Sequence, residues 1–166
     1  MMARQYRFKK VFADTLLFAI AAAQKPIQFV FVDVENCQSG SFQPLPPSFV
    51  DSRTTFTFAS TAQEGLEKKM SKKKMSPIAP LPFANENFVH LHRVSPGPDA
   101  ADVDLIMLCS KLRLIAGGRQ NDRWILMSND KCFQSLETVL KDEGAEVHLV
   151  RSKAAALKPE QSRNDH

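Results

Sequence analysis

QFVFVDVEN, residues 28–36, decides the fold. Phe29, Val30, Phe31 and Val32 form an unbroken run of aromatic and β-branched residues, the pattern of a strand buried on both faces, as in a parallel sheet. The run stops at Asp33, with Glu35 and Asn36 just beyond. Open α/β sheets place their ligands at the carboxyl ends of central strands, so an acid there is a candidate site residue. Asp33 or Asn36 starting a turn or capping a helix is the competing reading of the same stretch.

Outward from this strand the elements alternate. TTFTFAS at 54–60 and FVHLHRV at 88–94 alternate in polarity and read as a second and third strand. Residues 62–75, AQEGLEKKMSKKKM, carry acids first and lysines last, the order that complements a helix dipole. The proline-rich SPIAPLPFANEN cannot continue that helix. A helix is expected over 99–116, apolar on most sides and therefore buried, closed by a glycine pair. WILMS at 124–128 gives a fourth strand ending at Asn129 and Asp130, with Trp124 as a core anchor. CFQSLETVLKDEG is a helix closed by Gly144, and AEVHLV is a fifth strand. Strands alternating with helices specify a parallel α/β sheet.

The ends differ from this middle. Residues 1–26 are basic and then alanine-rich, with Asp14 as their one acid, and read as a helix with an apolar stripe of Phe12, Leu16, Ile20 and Ala23. The same composition suits a mitochondrial-type targeting segment, so a mitochondrial location is an expectation, with the cytoplasm as the alternative. Residues 152–166 form a polar tail. No apolar run approaches the ~20 residues of a membrane span. Cys37, Cys109 and Cys132 lack CxxC spacing, which argues against a disulfide framework or a zinc cage. The net charge of +4 and pI of about 9.1 fit an anionic partner such as RNA.

The acids define the chemistry. Asp33 and Asp130 both end expected strands, and Asp102 lies in the first turn of the intervening helix, on a face shared with Asp99. Asp104 points the other way and is expected to face solvent or be paired. Carboxylates that converge need a cation, and Mg²⁺ or Mn²⁺ held between carboxylates and substrate phosphates is the usual answer. His90 and His92 lack further ligands at suitable spacing and read as surface or half-buried histidines. Cys132 stands at a helix start, where a thiol pKa is often lowered, but simple burial is the commoner case.

Three blocks, FVFVDVENCQ, PDAADVDLIMLCSKL and WILMSNDKCFQSLETVLKDEGAEVHLV, resemble the PIN-like (NYN-like) nuclease superfamily, particularly its bacterial PIN-like branch. The resemblance covers roughly residues 27–151. It implies a three-layer α/β/α sandwich, a parallel five-stranded sheet of order 3-2-1-4-5, and an acidic metal site at the carboxyl edge. By motif position it implies Asp33, Asp102 and Asp130 as metal-binding acids, Asn36 as an accompanying polar residue, and Asp99 at a position usually filled by asparagine. The sequence departs from the pattern in 131–134, where a further acid is common and Lys131, Cys132, Phe133 and Gln134 stand instead. Two functions follow. One is a metal-dependent endoribonuclease, with Lys68, Lys69, Lys72, Lys73, Lys74 and Lys131 holding RNA. The other is a catalytically inactive PIN-like subunit with an RNA-binding or structural role in a large ribonucleoprotein, such as a mitochondrial ribosome or its assembly complex. In that case Lys131 takes the space of the cation.

Overall fold

The computed structural model describes residues 4–7, 20, 23, 25–34, 53–62, 87–116, 119 and 121–151. The elements are β1 (Arg4–Arg7), β2 (Ile27–Val32), β3 (Thr54–Thr61), β4 (Asn87–Arg93), α1 (Ala100–Ala116), β5 (Arg123–Met127), α2 (Lys131–Asp142) and β6 (Glu146–Val150). The strands form one all-parallel sheet of order β1-β4-β3-β2-β5-β6. Its last five strands have the expected 3-2-1-4-5 arrangement, an α/β sandwich built on a parallel sheet. A sixth strand was not expected: Arg4–Arg7, read from sequence as part of a basic helix or targeting segment, pairs with β4 at the sheet edge. The helix expected over 62–75 lies outside the described residues.

β2 is central because both its faces are apolar. Phe29 and Phe31 turn to one face and stack on their register partners. Phe29 lies 4.4 Å from Trp124 and 6.2 Å from Phe56, and Phe31 lies 5.3 Å from Phe58, between ring centroids. Leu105, Cys109 and Leu112 of α1 and Phe133 and Leu140 of α2 close over this aromatic layer. Both described helices therefore lie on one face, as right-handed crossovers running the same way across a sheet require. Val30 and Val32 turn to the other face, with Ile125, Met127 and Val150. Burying a side chain of this size contributes about 1.5–3 kcal/mol, so this strand carries much of the core energy.

α1 departs from the expected all-round burial. Ala101, Asp102, Leu105, Cys109, Leu112 and Ala116 face inward, whereas Val103, Met107, Leu114 and Ile115 are exposed. α2 ends as expected. Gly144 has φ 78°, its N–H donates to the Lys141 carbonyl, and the Ala145 N–H donates to that of Leu140, a Schellman closure. At the amino edge, Arg119 donates to the carbonyls of Ile20, Ala23 and Lys25 and pairs with Asp122, tying the chain before β2 to the loop before β5. No helix among the described residues is long and apolar enough to cross a membrane.

Candidate functional site

The carboxyl edge between β2 and β5 is where the site assembles. From β2 the chain runs to β3 on one side, and from β5 to β6 on the other. The strand ends therefore part at a topological switch point, where open α/β sheets bind ligands. Asp33 follows β2, and its N–H donates to the Met127 carbonyl at 3.0 Å, extending the β2–β5 ladder by one bond. Ser128 and Asp130 follow β5.

Asp33 is buried, and its Oδ2 accepts a hydrogen bond of 2.7 Å from the Ser128 hydroxyl. The same Ser128 oxygen accepts from the Asp130 N–H at 3.0 Å. One buried hydroxyl thus joins the ends of two strands. Asp130 then caps α2. Its backbone is extended, and its Oδ1 accepts from the Cys132 N–H at 3.0 Å. Hydrogen bonding from Cys132, chiefly its amide, holds the Asp130 carboxyl below the usual range.

Asp102, buried in the first turn of α1, comes to meet this cap. One ligand atom each from Asp102, Asp130 and Cys132 lies within 4.8 Å of the others. Two of the three expected acids are therefore brought together. Asp33 stands outside that group and reaches it through Ser128. Cys132 takes the third place, in the stretch where the sequence reading looked for a carboxylate. Its spacing two residues after the capping Asp130 was the available signal. The lowered thiol pKa considered for a helix start is reversed: burial, the hydrogen bond to Asp130 and the charges of Asp130 and Asp102 push Cys132 up to about 12. The thiol is protonated at neutral pH.

The remaining expected residues separate. Lys131, the first residue of α2, is exposed. Asn36, Lys68, Lys69, Lys72, Lys73 and Lys74 lie outside the described residues. Asp99 does not share the inward face of Asp102. It precedes α1, exposed, with φ 54° in the left-handed region, and its carbonyl accepts from the Val103 N–H. Asparagine and aspartate tolerate that conformation better than other non-glycine residues.

A second cluster stands further along the same edge. Asp104 is paired, one of its two expected fates. Its Oδ2 accepts from the buried Ser60 hydroxyl of β3 and lies 2.8 Å from Nδ1 of the half-buried His92 of β4. The hydrogen bond to Asp104 raises the His92 pKa above its ordinary value against the opposing effect of partial burial.

Comparison with protein-family models, curated proteins and solved structures finds no match for this chain.

Asp102, Asp130 and Cys132 lie close enough together to hold a metal ion. Mg²⁺ is commonly held by one or two carboxylates, with waters and substrate phosphate oxygens completing its shell. Asp102 and Asp130 supply two such carboxylates. Cys132, protonated and hydrogen-bonded to Asp130, is a poor partner for a hard ion and acts as a donor that positions the Asp130 carboxylate.

Proposed function

We propose that this chain is a metal-dependent endoribonuclease of PIN-like type, working at the carboxyl edge between β2 and β5. The observation that carries the reading is the meeting of Asp102, from the first turn of α1, with Asp130, the N-cap of α2, at the switch point of a parallel sheet. Mg²⁺ or Mn²⁺ bound there would offset charge on a phosphodiester and activate a water for its hydrolysis.

The chain's own residues prepare for that substrate. Asp130 is ionised at neutral pH, so it binds a cation without first losing a proton. Ser128, anchored on Asp33, fixes the backbone of Asp130 and thereby the direction of its carboxylate. Asp102 is fixed by burial in α1. Both helices begin at this edge, and their positive amino ends favour a phosphate. Lys131, exposed beside the site, is placed to meet the nucleic-acid backbone.

The test uses a labelled single-stranded RNA with and without Mg²⁺ or Mn²⁺. Asp130→Asn is the informative variant, because asparagine caps a helix as well as aspartate but brings no charge. Loss of a ligand carboxylate is expected to lower cleavage at least ~100-fold while leaving the urea midpoint near wild type. Cleavage that survives both a chelator and Asp130→Asn refutes the reading. RNA bound but never cut would place the chain with inactive subunits of a ribonucleoprotein.

A further inference from the structure

We propose that Asp102, Asp130 and Cys132 form a site for a thiophilic dication, Zn²⁺ by preference, with the Cys132 sulfur as a direct ligand that decides which metal the carboxyl edge holds. The inference rests on the reading of this edge as a metal centre, and names the ion that competes for it.

The three donors come from two helices that start at the same place. Asp102 is in the first turn of α1, Asp130 is the N-cap of α2, and Cys132 follows in the first turn of α2. One ligand atom from each lies within 4.8 Å of the other two. Zinc binds carboxylate oxygen at ~2.0–2.2 Å and thiolate sulfur at ~2.3 Å, so at tetrahedral angles its ligands stand roughly 3.3–3.7 Å apart. The set closes onto such an ion by drawing together ~1.5 Å at most. Three protein ligands leave a fourth position for water or a phosphate oxygen, the arrangement of open zinc sites.

The sulfur is what selects. Mg²⁺ demands a shell of oxygens and gains nothing from a thiol. Soft thiolate ligands favour Zn²⁺, which also stands above Mn²⁺ in intrinsic affinity for mixed donor sets. The surroundings of the thiol suit a cation. Cys132 hydrogen-bonds to Asp130, and the side-chain charges acting on it are those of Asp130 and Asp102, both negative. They hold a proton on the sulfur and, by the same attraction, favour a dication in its place. As the Zn–S bond forms, the thiol proton leaves to solvent, and the thiolate and two carboxylates surround the 2+ charge. Asp130 is already aimed: its amide donates to the Ser128 hydroxyl oxygen, and its Oδ1 accepts from the Cys132 N–H. Cys109, the other thiol among the described residues, is packed in the hydrophobic core and takes no part in this group.

The experiment titrates the full chain, without RNA, with Co²⁺ as a spectroscopic stand-in and Zn²⁺ as its competitor. Wild type is expected to give the near-ultraviolet charge-transfer band of a Co²⁺–thiolate bond. Stoichiometric Zn²⁺ should abolish the band, and a large excess of Mg²⁺ should leave it. Cys132→Ser should show no band and bind Zn²⁺ at least ~100-fold more weakly, measured against a chromogenic chelator. Asp130→Asn, which keeps the helix cap, should weaken Zn²⁺ to a similar degree, and it serves if Cys132→Ser fails to fold. Cys132→Asp should lose the band and bind Mn²⁺ more tightly than wild type. No band in the wild type, a band that persists in Cys132→Ser, or Zn²⁺ held equally well by Asp130→Asn each overturns the inference. Failure of the nuclease reading is separate. Zn²⁺ bound through Cys132 by a protein that never cuts RNA removes the cleavage and keeps this site, whereas Mg²⁺-dependent cleavage by a protein with no thiolate band does the reverse.

Discussion

Replacing Ser128 by alanine tests the connection on which the site depends. The Ser128 hydroxyl is buried between two partners, donating to Asp33 Oδ2 at 2.7 Å and accepting from the Asp130 N–H at 3.0 Å. Removing one partner of a buried hydrogen bond costs about 1–3 kcal/mol. The Asp130 amide lies nearer solvent, where water replaces much of its loss, and the removed oxygen leaves little volume behind. Ser128→Ala should therefore cost about 1–3 kcal/mol, a large share of the ~5–15 kcal/mol that holds a typical domain folded. With an m-value near ~2 kcal/mol/M, the urea midpoint should fall by roughly 0.5–1.5 M. A double-mutant cycle with Asp33→Ala should show a coupling of at least ~1 kcal/mol, since each variant removes the same bond. If the site is used as proposed, cleavage by Ser128→Ala should also drop about 10–100-fold, as for other supports of a metal ligand. A variant within ~0.5 kcal/mol of wild type, or one additive with Asp33→Ala, would refute the view that this hydroxyl joins β2 to β5.

Two further outcomes follow from local geometry. Gly144→Ala should destabilise the fold by about 1 kcal/mol in urea titration, because φ 78° is unfavourable for alanine. No atom lies within 4 Å of an added Cβ there, so the conformational cost stands alone and a neutral result would contradict it. Cys132, pushed from 9.0 to about 12, should carry roughly a thousandfold less thiolate at pH 8 than an ordinary cysteine and alkylate correspondingly slowly by mass spectrometry. Asp130→Asn should speed that reaction by removing a charge and an acceptor, and labelling at an ordinary rate in the wild type would refute the assignment.

The periodicity of the sequence determined the β-α-β framework, because each expected core strand has a pattern that only burial explains. Phe29 to Val32 is apolar on every residue, which suits a central parallel strand and little else. The capping Asp130 and the closing Gly144 were equally legible, since both act within one turn of backbone. The acids at the ends of β2 and β5 could be placed on one edge once the strands were taken as parallel neighbours.

Contacts between elements were not legible in this way. Nothing local distinguishes Asp33, bound to Ser128, from Asp102, which meets Asp130 and Cys132; the difference arises where α1 crosses the sheet. The exposed Val103, Met107 and Leu114 misled for a related reason: an apolar residue on a helix does not state which neighbour covers it. The strand at Arg4–Arg7 lacks an apolar signature because its place depends on the free edge of β4. Across the amino half of the sheet, Thr55, Gln28, Arg123 and Glu146 form a hydrogen-bonded ladder through four strands. These three bonds join residues 27, 95 and 23 positions apart in the chain. Backbone preference and burial are properties of short segments and were fixed by the sequence alone. The partners of Asp33, Asp104 and Arg123 were decided by the tertiary structure, because a hydrogen bond between distant elements exists only after the sheet has set their register and distance.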